Sequence, residues 1–200
     1  MKLPLDFYRR DDVVQVSREL LGKVLYTSLG GTVTAAIITE TEAYAGATDR
    51  ASHAHGGLRT RRTEPMFGPG GAAYVYLCYG IHHLFNVVVG DVDQPLAILI
   101  RAGEPVVGID KILERRKKQR VSTALLSGPG CLAQGLGITT AMTGTSLVDD
   151  GIWVEDQNVS LRSRDIITGP RVGVDYAGED AALPYRFRIL YSAGHSQQPG

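Results

Sequence analysis

The dipeptide Gly30-Gly31 constrains this chain most. It separates two strand-like runs, Lys23–Leu29 and Thr32–Tyr44. Two glycines between such runs are a strong signal for a two-residue β-hairpin, because both central residues of the favoured turn need positive φ. An antiparallel pair is therefore expected to seed the fold. The second run ends unusually, with Ala35–Tyr44 reading AAIITETEAY. A strand sends alternate side chains to opposite faces, so Ile38, Glu40, Glu42 and Tyr44 are expected on one face and Thr39, Thr41 and Ala43 on the other. Residues two apart on one face are about 7 Å apart. Two acids that close to an apolar core are costly unless hydrogen-bonded or functional. A carboxylate placed there can activate a water as general base. Two of them can perturb each other's ionisation. The ordinary alternative is one acid in a salt bridge and the other facing solvent. The pair alone does not choose between Glu40 and Glu42.

The remaining elements follow from periodicity and punctuation. Asp11–Leu21 has helical spacing, with Asp11 or Asp12 to cap it and Gly22 to close it. Ala45–Gly71 is polar and glycine-rich; so long an irregular stretch is uncommon unless it carries function or a short helix, and Thr48–His53 can supply a helical turn. Ala73–Tyr79 is a strand with Tyr74, Tyr76 and Cys78 on one side and Val75, Leu77 and Tyr79 on the other. Leu84–Val89 and Leu96–Ala102 follow as strands, an antiparallel meander extending the first hairpin's sheet. Ile109–Arg120 and the segment from Ser127 through Leu136 are helices, the second with Pro129 in its first turn. Ile152–Glu155 is a strand, Gly169–Gly178 a loop, Tyr185–Tyr191 a last strand, and His195–Gly200 a frayed tail. With no internal repeat and no linker, the 200 residues form one domain. The fold class expected is α+β, a single compact domain with a central antiparallel sheet flanked by helices.

Composition narrows the setting. Hydrophobic residues make up 44% and charged residues 21%, as in an ordinary globular protein. Apolar runs such as Leu96–Ile100 are too short to span a bilayer. The N-terminus, MKLPLDFYRRDD, lacks the apolar core of a signal peptide, so secretion is not expected. Cys78 and Cys131 have no metal-ligand spacing, and a reduced, cytoplasmic compartment is the simplest reading. Formal net charge is zero, but it is unevenly spread. Residues 59–120 carry 10 basic and 6 acidic side chains, a local +4, against −1 before and −3 after. Arg59, Arg61 and Arg62 form one cluster, and Arg115, Arg116, Lys117, Lys118 and Arg120 another. A local basic face can hold phosphates even on a neutral chain; the ordinary alternative is a solvated loop and helix face.

Other residue types stand out. His53 and His55 form an H-x-H pair near acids, which invites a metal site, but no HExxH or cysteine set supports one. Tyr44, Tyr74, Tyr76 and Tyr79 crowd two strand ends, and aromatics beside basic groups are what a base-stacking site needs. Tyrosine also favours strands for packing alone. Tyr79 differs, because it precedes Gly80 at a hairpin tip, where an aromatic can wedge between bases. Arg101 ends an apolar strand, with Glu104 as its ordinary partner. Asn86 lies within a strand, where asparagine is disfavoured. The glycine-rich pieces lack the Walker and GxGxxG spacings, and no serine sits in a GxSxG elbow. Three functional classes stay open on these residues: an enzyme using a carboxylate on nucleic acid, a non-catalytic nucleic-acid-binding module, and a metal-dependent hydrolase built on His53 and His55.

In these motifs the chain resembles the alkyladenine (3-methyladenine) DNA glycosylases. The matching pieces are ITETEAYAG at 38–46, DRASHAHGG at 49–57, RTRR at 59–62 with MF at 66–67, YVYLCYGIHHLFNVV at 74–88, ILIRAGEP at 98–105, LSGPGCLAQGLGI at 126–138 and PRVGVDYAGE at 170–179. Their order and spacing cover almost the whole chain. The resemblance implies a compact α+β domain. It implies a monomeric enzyme that removes alkylated or deaminated purines, among them 3-methyladenine, 7-methylguanine, hypoxanthine and etheno adducts, from double-stranded DNA. It further implies no metal, no cofactor and no strand cleavage. By the same resemblance, Glu42 matches the acid that activates the attacking water, Arg101 the arginine that helps position it, and Val172 the residue whose backbone carbonyl also holds it. Tyr44, His53 and Tyr76 match the side chains around the flipped base, and Asn86 one that crowds the position of a guanine amino group. Tyr79 matches the tyrosine that fills the gap left in the duplex. Glu40 is left a structural part. His82-His83 depart from the more apolar or aromatic residues of other members, which puts the DNA contacts beside Tyr79 in question rather than the chemistry.

Overall fold

The computed structural model describes residues 1–159 and 161–190. Its frame is an antiparallel sheet of eight strands: β1 (Val24–Leu29), β2 (Thr32–Tyr44), β3 (Ala73–Cys78), β4 (His82–Val89), β5 (Leu96–Val107), β6 (Ile152–Glu155), β7 (Ile166–Gly169) and β8 (Arg186–Ile189). The order across the sheet is β3-β4-β5-β2-β1-β6, and β8 pairs with both β2 and β7. The expected hairpin is present: Leu29 faces Thr32, and Gly30 and Gly31 take φ +57° and +77°, the left-handed pair that the tight turn requires. The meander β3-β4-β5 joins this hairpin through β5, as the alternation predicts.

Three helices cover one face of the sheet: α2 (Val13–Glu19), α3 (Ile109–Arg116) and α4 (Pro129–Leu136), with a single turn, α1 (Leu5–Tyr8), before them. Val13, Val16 and Leu20 recur at helical spacing and join Leu25, Phe85, Ile98, Ile100, Ile112, Leu132 and Leu136 in the main core. The opposite face of β3, β4 and β5 is also buried. There Tyr74, Val88 and Ala97 pack with Ala54, Met66 and Phe67 from the irregular stretch after β2. Phe85, Val87 and Val89 point to the helices while Asn86 and Val88 point the other way, as a strand's period of two dictates.

Several boundaries differ from expectation for local reasons. α2 is shorter than Asp11–Leu21. α3 stops at Arg116 because Lys117 turns left-handed, φ +53°, and its N–H closes on the carbonyls of Leu113 and Glu114. β4 starts at His82 rather than Leu84. β5 continues past Ala102 to Val107 despite Pro105, because β4 pairs only with Leu96–Leu99. Past the Ala102–Ser127 bridge no strand among the described residues pairs with that edge of β5, and proline is tolerated there. The stretch 45–71 holds three short 3₁₀ turns, Gly46–Thr48, His55–Gly57 and Glu64–Phe67. The expected loop Gly169–Gly178 begins as the end of β7 and runs into a 3₁₀ segment at Asp175–Ala182. Tyr191 and the tail His195–Gly200 lie outside the described residues.

One expectation about faces is corrected. Ile38 does not share a face with Glu42; it lies in the main core with Ala36 and Ala43. The register runs Ile38 to Gly103, then Glu40 to Ala102, then Thr41 to Ile100. Thr39 on β2 and Arg101 on β5 are therefore left without register partners. This double irregularity re-phases β2, since a bulge turns the following side chains over. Glu40, Glu42 and Tyr44 keep one face, and Thr41 and Ala43 the other.

Candidate active site

The sheet register assembles the site. Tyr74 faces Asn86 across β3 and β4, Asn86 faces Leu99 across β4 and β5, and Leu99 faces Glu42 across β5 and β2. Four strands thus contribute one row of side chains, each about 5 Å from the next. Above this row lies a cavity of about 210 Å³. Its walls include Tyr44, His53, Tyr74, Tyr76, Asn86 and Arg101. Met66, Cys78, Tyr79, Val172 and Tyr176 also line it. Of the eight residues that the resemblance gives a role, seven line the cavity; the eighth, Glu42, lies just behind the wall, fully buried, while Glu40, His55, His82 and His83 stand outside the lining.

Glu42 is held by three donors. Tyr44 Oη donates to its Oε2 at 2.9 Å, Arg101 Nη1 donates to the same oxygen at 3.2 Å, and the Val172 N–H donates to Oε1 at 2.8 Å. Tyr44, Arg101 and Val172 all line the cavity, so the carboxylate is joined to it through the groups that hold it. Burial, followed by the Glu42 charge, pushes the Tyr44 phenol well above its ordinary value, which keeps it protonated as a donor. Val172 meets Glu42 through its backbone N–H. Glu40 stands on the outer side of Arg101, accepting from Arg101 Nε at 2.8 Å and Arg186 Nε at 2.7 Å.

The aromatic wall is ordered by a polar chain. Arg62 Nη2 lies 3.2 Å from His53 Nε2, and His53 Nδ1 lies 3.0 Å from Tyr74 Oη. A guanidinium can only donate, so Nε2 accepts and the proton sits on Nδ1, which donates to Tyr74. Burial, reinforced by the Arg62 charge, pushes the His53 imidazolium down to about 4, leaving the ring neutral near pH 7. The His53 ring meets Tyr76 edge-on at 4.6 Å, and the Arg62 guanidinium lies 5.0 Å from the Tyr76 ring centre. Asn86 is buried, with its Nδ2 donating to the carbonyls of Tyr74 and Leu84 at 3.1 and 3.3 Å. His53 and His55 do not build a metal site: among the described residues, no group of three His, Cys, Asp or Glu side chains could hold a metal ion.

Tyr79 is 92% exposed at the β3–β4 tip. Cys78 O accepts from the Ile81 N–H, and Tyr79 and Gly80 between them have φ +50° and +74°. A tyrosine held left-handed there is strained. His83 Nδ1 accepts from the Thr140 N–H at 3.1 Å, a contact that anchors the hairpin to the chain after α4, while His82 is exposed. The second basic cluster is partly structural. Arg115 donates to Thr34 and to the Gly135 carbonyl, and Arg116 to the Leu125 carbonyl and Cys131.

Sequence reasoning missed Arg171, Asp49 and Tyr176. The Arg171–Asp49 ion pair is buried, with side-chain exposures of 0% and 1%. Arg171 Nη2 donates to Asp49 Oδ1 at 2.9 Å, and Nη1 also donates to the Ala43 carbonyl at 3.0 Å. Its guanidinium lies 4.9 Å from the Tyr44 ring centre. The pair ties the Val172 loop to β2 beneath Tyr44. Its partners are 122 residues apart, and only the neighbourhood of Val172 hinted at Arg171. Tyr176 donates to the Ala51 carbonyl at 3.1 Å and, like Tyr79, lines the cavity.

A family model described as methylpurine-DNA glycosylase matches residues 6–193. A Bacillus cereus (strain G9842) protein is 44% identical over 204 residues, covering 98% of this chain and 97% of its own. Proteins of Bacillus cereus (strain ATCC 14579) and Bacillus anthracis (strain A0248) are 43% identical over the same shares. All three bear the name "Putative 3-methyladenine DNA glycosylase".

Proposed function

Because the chain belongs to the methylpurine-DNA glycosylase family, we propose that it excises alkylated or deaminated purines from duplex DNA by hydrolysing the N-glycosidic bond. The observation that carries this reading is a buried carboxylate, Glu42, held by three groups that line a cavity walled by tyrosines. The sugar carbon under attack is unreachable while its base is stacked, so the nucleotide must swing out of the duplex. Tyr79, exposed at the hairpin tip, fills the space it leaves. The extruded purine enters between Tyr44 and Tyr76. Alkylation can leave it positively charged, and the two rings then add cation–π attraction, about 0.5–2 kcal/mol in a desolvated site. A neutral His53 adds no repulsive charge to that cation. Asn86 crowds the sheet-side edge of the base.

Glu42 takes a proton from a water as its oxygen attacks the sugar C1′ and the bond to the purine breaks, the electron pair leaving with the base. Arg101 and the Val172 segment hold this water. The nucleophile is water rather than an amine, so the strand stays intact; no lysine is among the residues lining the cavity. Each role is filled by one chain, which acts as a monomer without metal or cofactor. The test is Glu42→Gln, assayed for hypoxanthine and 3-methyladenine release from damaged duplexes. General-base catalysis contributes about 10²–10⁴-fold, so release should fall by that factor while affinity for an abasic duplex is retained. Wild-type protein that binds damaged duplex without releasing base would overturn the reading in favour of a binding module.

A further inference from the structure

We propose that Glu40 is the positioning residue for Arg101, and that it works as one member of a four-charge cluster completed by Arg186. This rests on the assignment of Glu42 as the base and deepens it. The cluster holds two carboxylates and two guanidiniums. Glu40 Oε1 accepts from Arg101 Nε at 2.8 Å and from Arg186 Nε at 2.7 Å, and Arg101 Nη1 reaches Glu42 at 3.2 Å. Side-chain exposures are 13% for Arg101, 15% for Glu40, 0% for Glu42 and 23% for Arg186. Charges this sheltered are costly unless each finds a partner of opposite sign.

The backbone explains why Arg101 needs such a partner. It has no register partner on β2, lying between Ile100, which faces Thr41, and Ala102, which faces Glu40. A bulge re-aims the side chain it carries, but leaves an arginine's long stem with several rotamers. Glu40 engages Nε, the nitrogen nearest the stem. With Nε fixed, the planar guanidinium has one orientation, and its terminal nitrogens point toward Glu42 and the cavity. Arg186, from β8, stands opposite Glu42 in the β2–β8 register. It shares Glu40 Oε1, so Glu40 is not free to draw Arg101 away from Glu42. The last strand of the described chain therefore supplies a charge to the site without touching substrate.

The test is kinetic, on the full chain, with Glu42→Gln run alongside. Misplacing a catalytic group by about 1 Å can cost about 100-fold. Glu40→Ala should therefore lower kcat by about 10- to 100-fold and leave KM for the damaged duplex within about 3-fold. Glu40→Gln retains an acceptor for Nε and should recover most of kcat. In an Arg101→Ala background, Glu40→Ala should cost nothing further, because residues acting through one group are not additive. Thermal unfolding checks each variant; if Glu40→Ala does not fold, Arg186→Gln replaces it and should lower kcat in the same Arg101-dependent way. Full additivity with Arg101→Ala, or wild-type kcat in a folded Glu40→Ala or Arg186→Gln, would overturn the proposal. If Glu42→Gln retains full activity, it is the base assignment beneath it that fails.

Discussion

Replacing Tyr79 with asparagine should make the protein more stable and the enzyme worse. Tyr79 occupies the first central position of a turn in which both central residues have positive φ, +50° and +74°. A residue with a Cβ loses about 1–2 kcal/mol in this conformation. Asparagine tolerates it, and Asn-Gly is the favoured pair for such a turn. At 92% exposure Tyr79 gives up almost no buried contact on replacement. Tyr79→Asn should therefore gain about 0.5–1.5 kcal/mol. For a chain of this length, 1 kcal/mol shifts the melting temperature by about 2–4 °C. The effect on DNA has the opposite sign. Stacking an aromatic against a base contributes about 1–3 kcal/mol, so affinity for a duplex with an abasic site should fall by about 5- to 150-fold. Urea and thermal unfolding measure the first effect, and fluorescence anisotropy with an abasic duplex the second. Excision from single-stranded DNA, where no gap must be filled, should fall less than excision from duplex. A lowered melting temperature would refute the strain argument, and unchanged affinity for abasic duplex would refute the wedge.

The buried Arg171–Asp49 pair yields a stability prediction. Arg171→Met leaves Asp49 charged and uncompensated and should cost about 3–5 kcal/mol in urea unfolding. Adding Asp49→Asn should recover part of that loss, and strict additivity would sink the idea that the two act as a pair. Burial alone would raise the Asp49 carboxyl, but the Arg171 guanidinium and the N–H groups of Ala45 and Ala51 outweigh it and hold it below its ordinary range. The pair's contribution is thus fully present above the unfolded carboxyl value, about 3.9, and is lost as pH falls through the lower folded one. Acid unfolding of the wild type should accordingly be steeper there than that of Asp49→Asn. His53 should titrate near 4 by NMR, because burial and then the Arg62 charge depress it. Between the ordinary value of about 6.5 and that point, the unfolded chain takes a proton that the folded ring refuses, so stability falls as pH falls. Arg62→Ala should raise the His53 value; a titration already near 6.5 in the wild type would refute the buried, neutral ring.

The elements governed by near neighbours in the chain were legible without coordinates. The Gly30-Gly31 hairpin, the meander, the α4 segment behind Pro129 and the exposed tip at Tyr79 each depend on local backbone preference or on a period of two or 3.6. The residue types needed for the chemistry were also visible: acids at the end of β2, tyrosines on β3, an asparagine on β4. What the one-dimensional pattern could not decide was phase and partnership. Strict alternation put Ile38 on the face of Glu42, and the paired irregularities at Thr39 and Arg101 moved it to the core. Glu40 and Glu42 were equivalent by spacing; burial and partners separate them, one beneath the cavity wall and the other between two arginines. The second basic cluster looked like a phosphate face, yet two of its five members, Arg115 and Arg116, brace α3 and α4. The Arg171–Asp49 strut and the Arg186 charge were invisible because their partners lie more than a hundred residues away. Local sequence specifies strands and turns because their energies are local. Which carboxylate is held, and by what, depends on hydrogen bonds and ion pairs that exist only once the register of β2, β5 and β8 has brought Arg101 within 3.2 Å of Glu40 and Glu42, and Arg186 within 2.7 Å of Glu40.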